Sequence, residues 1–210
     1  IDKDFEEIDY FIEKKENKIS FNTNLNLKNT KFKIDKINYK KKDETNMFLK
    51  IDGELKNNKK LSINNFTITE NDNKINIINL SLNNKNQVIK IDKVDINFLD
   101  TENIKNIIYI ENQSDFNYIV NGISLNANPL ITNLLESDDK NKSNIFEKDF
   151  NLEINIDKVH FDKIHSVKKL KGKLKIKNNN VVDANILAFY NDAKNISFTI
   201  RTTNQGNKIT

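Results

Sequence analysis

The chain has 210 residues, 37% hydrophobic and 30% charged, with 34 basic residues set against 30 acidic ones and a net charge of +4. That length and apolar content suffice to bury one sizeable core, and 31 Ile and 13 Phe at so small a net charge exclude a disordered chain. The absence of Cys excludes disulfides, thiolate metal sites and a Cys nucleophile, while four Gly and one Pro exclude a collagen-like or linker-like composition.

Asn, Lys and Ile, at 39, 33 and 31 residues, make up nearly half of the chain. All three have A/T-rich codons, so this bias is discounted as a functional signal. No nucleic-acid partner is expected: the basic residues are interleaved with acidic ones, as in Ile91-Asp92-Lys93-Val94-Asp95-Ile96, and Arg201 is the only Arg. Apolar runs such as Ile107-Ile108-Tyr109-Ile110 are far short of the ~20 residues that span a bilayer. The opening Ile1-Asp2-Lys3-Asp4 lacks both a Met and a targeting segment. It reads as a piece of a longer polypeptide, with room for a membrane anchor upstream.

In chain order, residues 1–17 form a lead-in in which Phe5, Ile8, Phe11 and Ile12 suit a short amphipathic helix or an irregular segment. From residue 19 to 125 the apolar residues recur mostly at every second position, the period of a strand with one buried face. Ile19 to Leu27, Met47 to Leu55, Leu61 to Ile68, Ile75 to Leu82 and Ile89 to Phe98 are the clear runs. Lys56-Asn57-Asn58-Lys59, Glu70-Asn71-Asp72-Asn73 and Asn83-Asn84-Lys85-Asn86 separate them, with Asn and Asp supplying the turn conformations that Gly supplies elsewhere.

Residues 128–149 interrupt the pattern. Asn128 is placed to cap and Pro129 to open a helix near 129–135, with Leu130, Ile131, Leu134 and Leu135 on one face covering the sheet. Glu136 to Lys142 has no apolar residue and reads as an exposed loop. The strand period resumes over 150–210, where Leu170, Gly172, Leu174 and Ile176 alternate with Lys169, Lys171, Lys173, Lys175 and Lys177. A one-residue slip would carry that Lys row into the core, so the strand's orientation is set. The expected fold is mainly β: one elongated domain over 1–210, a long antiparallel meander with one short helix near 129–135.

From Gly122 onward the chain resembles the AsmA-like envelope proteins of Gram-negative bacteria, in their YhdP and TamB-like branch. The residues that carry the likeness are Gly122-Ile123-Ser124-Leu125-Asn126-Ala127-Asn128-Pro129-Leu130, then Leu134-Leu135, then Phe150 to Val159, and then Val167 to Leu174 with its apolar, x, Gly, x, apolar core. Ile51-Asp52-Gly53-Glu54-Leu55 repeats that small pattern earlier. The resemblance implies a β-sheet curled into an open groove or incompletely closed tube, inner-membrane-anchored and reaching across the periplasm. It implies phospholipid as cargo moved toward the outer membrane, with no catalytic residues and no cofactor.

An apolar sheet face must close on itself, pair with a second layer or hold something apolar, because every 100 Å² left in water forgoes about 2.5 kcal/mol. Ile51, Gly53, Leu55, Leu170, Gly172, Leu174 and Ile176 are the candidate groove residues, and Lys171, Lys173 and Lys175 are candidates for contact with anionic headgroups. The alternative is a structural or adhesive β-rich surface module with a dry core and a protein partner. His160 and His165, with Asp157 or Asp162 nearby, match neither a helical nor a strand two-His clamp, so no metal is expected. No phosphate loop and no Gly-x-Ser-x-Gly is present, and Asp138-Asp139 sits in a charged loop, so no enzyme is expected either.

Overall fold

The computed structural model describes residues 6–57, 59–114, 116–136, 145–191, 194–203 and 206–209. Sixteen strands are described: β1 (Glu7–Lys15), β2 (Lys18–Leu27), β3 (Lys33–Ile34), β4 (Tyr39–Lys40), β5 (Met47–Lys56), β6 (Lys60–Glu70), β7 (Asn73–Leu82) and β8 (Val88–Lys90), followed by β9 (Lys93–Leu99), β10 (Lys105–Ser114), β11 (Asn117–Asn126), β12 (Phe150–His160), β13 (Ser166–Lys177), β14 (Asn180–Asn191), β15 (Lys194–Thr203) and β16 (Gly206–Ile209). The single α-helix described, α1 (Asn128–Glu136), lies between β11 and β12. One mixed sheet runs β1-β2-β5-β6-β7-β9-β10-β11-β12-β13-β14-β15-β16, with β8 added on β7. It is not closed into a barrel: β1 and β16 end the path and do not pair.

Three expectations are corrected. The lead-in is a strand, β1, hairpinned on β2 with Ile8 opposite Leu25 and Ile12 opposite Phe21. Its charged residues fit either period, and pairing with the alternating β2 selects the extended form. The meander is not antiparallel throughout, because β11 pairs with β12 in parallel, Val120 opposite Ile154 and Leu125 opposite Val159. A parallel pair needs a long crossover, and α1 with the stretch up to residue 149 provides it. Finally, Leu130 and Ile131 are exposed, and Pro129 is buried instead. Glu136 closes α1; Asp138, Asp139 and the rest of the predicted loop through Lys142 lie outside the described residues, as do the side chains of Leu134 and Leu135.

The start of α1 is held by Asn126 rather than Asn128: the Asn126 Oδ1 accepts the Asn128 N–H at 3.1 Å, and the Ala127 carbonyl accepts the Ile131 N–H at 3.0 Å. The turns follow the sequence closely, with Asn57, Asn71, Asn86, Asn178 and Asn179 at φ of 51°, 51°, 59°, 50° and 60°. Asn tolerates this left-handed region because its short side chain bonds the local backbone.

Changes of phase in the alternation mark irregularities inside strands. Ile63 and Phe66 share a face although an odd number gives way to an even one, and Asn64 is the residue skipped in the pairing between them. Opposite it, Asn79 adopts φ 52°. The register between β5 and β6 shifts at Asp52/Gly53, beside this pair. A second line crosses β11, β12 and β13, where Ile123, Asp157 and Lys169 are left out of the ladder and Lys169 adopts φ 51°. Such bulges bend a strand and increase its local twist.

Two buried clusters lie on the apolar face. Tyr39, Met47, Leu49, Ile68, Ile75 and Phe98 form the first, under the segment 28–46 that carries β3, the 3₁₀ turn Asp35–Ile37 and β4. Ile108, Ile156, Val159, Val167 and Ala188 form the second, with Ala127 at the start of α1 packed on it. At the other ends of β11 and β12, Phe146 packs on Phe150 at 4.4 Å between ring centres, and Phe150 meets Tyr118 edge-on at 5.9 Å.

Candidate functional site

Cross-strand pairing aligns the apolar side chains into rungs that run across the sheet. The middle rung passes through Tyr10, Thr23, Ile51, Phe66, Ile77, Val94, Ile110, Val120, Ile154, Gly172, Ile186 and Phe198, one residue from each of twelve strands. Only Thr23 and Gly172 in this series lack a large apolar or aromatic side chain. A second rung runs beside it through Ile8, Leu25, Leu49, Ile68, Ile75, Ile96, Ile108, Gly122, Ile156 and Leu170.

Most of the middle rung is half-buried: Ile51, Phe66, Ile77, Ile110, Val120, Ile154 and Ile186 all keep part of their surface, while Val94 at 8% is buried. Exposure rises to 72% at Tyr10 and 38% at Phe198, toward the two ends of the sheet. No second sheet lies over this face among the described residues.

The predicted groove residues all fall on this face. Ile51 and Gly172 share the middle rung. Gly53 lies one rung away between Phe21 and Ile63, and Leu55 pairs with Ile19 and Leu61. Leu170 pairs with Ile156, Leu174 with Leu152 and Ala184, and Ile176 with Phe150. Gly53 has a specific reason to be Gly: a Cβ there would collide with the Ser62 carbonyl and approach Phe21 Cζ to 2.9 Å. What sequence reasoning missed is the middle of the rung, Phe66, Ile77, Val94, Ile110, Val120 and Ile154. Their alternation was legible, but their alignment follows from the strand register.

Lys171, Lys173 and Lys175 are exposed on the reverse face, opposite Asn155, Glu153 and Asn151. Lys173 Nζ lies 3.8 Å from Glu153. A shallow depression of about 630 Å³ on this face is lined by Asn121, Glu153, Asn155, Lys171, Lys173 and Asn185 among others. The structure therefore does not bring these lysines together with the groove candidates. They are separated from them by the thickness of the sheet.

The two histidines are also apart in role. Asp162 Oδ1 accepts the N–H groups of Ile164 and His165, and its Oδ2 lies 2.7 Å from His165 Nδ1. These bonds, led by the His165 N–H, hold the Asp162 carboxyl down at about 2. His160 sits at the end of β12, where burial and then Lys158 lower its pKa against the opposing pull of Asp100. Among the described residues no three His, Asp or Glu side chains converge as a metal site would require.

Two buried polar networks secure the covering segments. Glu70, 1% exposed, accepts from the Tyr39 hydroxyl at 2.8 Å, the Thr45 hydroxyl at 2.6 Å and the Lys42 N–H at 2.6 Å. Burial pushes its pKa up, but these donors and Asn73 outweigh burial and hold it below the usual carboxylate range. Burial, then Glu70, pushes the Tyr39 hydroxyl upward. In the second network the Asn126 amide donates to Asp100 and Glu102, each at 2.8 Å, and the Asn126 N–H donates to Asn106 Oδ1 at 2.7 Å.

No protein-family model, no curated protein and no solved structure matches this chain.

Proposed function

We propose that the chain is a bridge-like lipid transfer module whose open sheet guides phospholipid acyl chains along its apolar face. The observation that carries this reading is the middle rung, apolar across nearly all of twelve strands and left half-exposed along most of its length. Such a surface is costly in water and matches an acyl chain, which needs contact area and no directional bonds. The rungs cross the strands, so an acyl chain lying along them meets one apolar side chain every ~4.8 Å, the strand spacing. Passive guidance of this kind requires no bond chemistry.

The resemblance to the AsmA-like proteins supplies the setting: the periplasm, an inner-membrane anchor contributed by regions outside this segment, and delivery toward the outer membrane. Headgroups would remain in water at the margins of the sheet. The reverse-face Lys171, Lys173 and Lys175 would reach them only around an edge.

The test is direct. Protein extracted under mild conditions should carry phospholipid detectable by native mass spectrometry, and a photo-crosslinker at position 51 or 174 should capture it. Leu174→Asp should reduce lipid capture more than it reduces folding, since a charge on this face loses its water without gaining a partner. The second reading, a structural or adhesive module with a dry core, is favoured by one observation, the tightly buried Tyr39, Met47 and Phe98 cluster. Lipid-free protein that gives no crosslink at either position, and that unfolds on Leu174→Asp, selects that reading.

A further inference from the structure

A third apolar rung, at the margin of the face, is interrupted and then completed by a residue from outside the sheet path. It runs through Ile19, Leu55, Leu61, Leu82 and Val88 by direct pairing, and it resumes at Phe150 and Ile176. Between them β10 and β11 offer only Ser114 and Asn117, paired with each other. Phe146 fills the gap. It bridges Val88 in parallel, so the two side chains share a face, and its ring packs on Phe150 at 4.4 Å.

Both backbone edges of Phe146 are occupied. On one edge the Val88 N–H donates to the Ile145 carbonyl at 2.7 Å, and the Glu147 N–H donates to the Val88 carbonyl at 2.9 Å. On the other edge the side-chain amide of Asn179, between β13 and β14, takes the place of a strand. Its Oδ1 accepts the Phe146 N–H at 2.9 Å, and its Nδ2 donates to the Phe146 carbonyl at 3.0 Å.

This double hold requires the sheet to curl. β8 lies on the same edge of β7 as β9, since β6 takes the other edge. The route through the sheet from β9 to β13 is four strand spacings, about 19 Å, whereas one strand paired on both edges spans about 10 Å. Phe146 therefore closes the chord of a curl at this margin.

The hold is also light. Ile145, Glu147, Lys148 and Asp149 are exposed, and Phe146 alone is partly buried. Asn83 Nδ2 donates to Glu147 at 2.8 Å, the Asn178 N–H donates to Asp149 at 2.9 Å, and Lys148 Nζ lies 4.9 Å from the centre of the Phe116 ring. A segment with one packed ring and solvent-exposed hydrogen bonds opens far more readily than the strands beneath it.

We propose that residues 145–149 are a clasp that closes this margin of the apolar face and opens as a unit when Phe146 parts from Asn179 and Val88. Open, it uncovers Phe150 and Val88 and widens the way in for an acyl chain. What enters rests on the lipid reading above; the clasp itself does not.

Asn179 sits at φ 60°, so Asn179→Gly removes the amide without backbone strain. In the 210-residue chain this should speed amide hydrogen exchange about tenfold at Val88 and Glu147. Those two N–H groups bond Ile145 and Val88, not Asn179, so they quicken only if the segment opens as a unit. Exchange in the central β11–β12 pair should stay unchanged, which separates opening from unfolding. Val88→Cys with Phe146→Cys should form a disulfide, because directly opposed residues lie within its reach and no natural Cys competes. Oxidation locks the clasp. It should slow the capture of phosphatidylglycerol from vesicles by a photo-crosslinker at position 174 about tenfold, with reduction restoring the rate. Unchanged exchange at Val88 and Glu147 in Asn179→Gly, or equally fast capture by the oxidised and reduced double variant, would overturn the clasp. Capture by neither form counts against the lipid reading, and the exchange result then decides the clasp.

Discussion

The Tyr39 hydroxyl donates to Glu70 Oε2 at 2.8 Å, joining the covering segment 28–46 to the β6–β7 turn beneath it. The same carboxylate takes the Lys42 N–H and the Thr45 hydroxyl, so one buried charge gathers three donors from that segment. Tyr39 and Met47, both fully buried in the first cluster, depend on this closure.

Glu70→Ala leaves those donors unpaired in a water-poor site and should cost on the order of 3 kcal/mol by chemical denaturation. Tyr39→Phe removes one donor and should cost about 1–2 kcal/mol. The pH dependence has a definite sign. The folded pKa of Glu70 lies below its unfolded value, so its stabilisation is fully present above the unfolded pKa and is lost as pH falls through the folded one. Glu70→Gln should therefore show a shallower loss of stability on acidification below about pH 4.5 than the parent chain. An identical acid limb in both proteins would remove Glu70 from the account.

Gly53 and Gly172 should respond differently to the same change. A Cβ at Gly53 meets the Ser62 backbone carbonyl and the Phe21 ring, and the backbone cannot yield without opening the sheet. At Gly172 the nearest atom is Ile186 Cγ1 at 3.1 Å, part of a side chain that can move. Gly53→Ala should cost about 2–3 kcal/mol and Gly172→Ala less than about 1 kcal/mol, measured by thermal or urea unfolding. Equal costs would show that the sheet yields as easily at the one as at the other.

Lys169 occupies a left-handed conformation at φ 51° within β13. Replacing it with Gly removes the Cβ penalty of about 1 kcal/mol but loosens the unfolded chain, so Lys169→Gly should be neutral to slightly stabilising. Lys169→Val should cost about 1–2 kcal/mol, since a β-branched residue resists that conformation. A neutral Val variant would indicate that the strand adopts a different register here.

Asn126 ties β11 to the β9–β10 turn through Asp100 and Glu102, and caps α1 through the Asn128 N–H. Asn126→Ala should cost about 2 kcal/mol. Hydrogen exchange should quicken first at Asn128 and at the residues of the Asp100 turn. Uniform quickening across the sheet would contradict a local tie.

Much of this architecture is written in short stretches of chain. The alternation of Leu170, Gly172, Leu174 and Ile176 with lysines assigns the two faces of β13, because successive side chains of an extended backbone point to opposite sides. The turns at Asn57, Asn71 and Asn178 follow from what Asn tolerates locally. Even the interior irregularities show, as the change of phase between Ile63 and Phe66. Other features belong to no single stretch. The charged Glu7–Lys15 segment fits two periods, and its pairing with β2 makes it a strand. The parallel pairing of Val120 with Ile154 depends on where the crossover through α1 returns the chain. Glu70 is a surface-type residue by sequence, buried because Tyr39, Lys42 and Thr45 arrive over it from a distant segment. The middle rung is the clearest case: each strand specifies which of its side chains face inward, but only the register between neighbours lines those side chains up into one continuous apolar track. Periodicity is a property of the local backbone. Adjacency, register and cover are set by contacts between residues far apart in the chain.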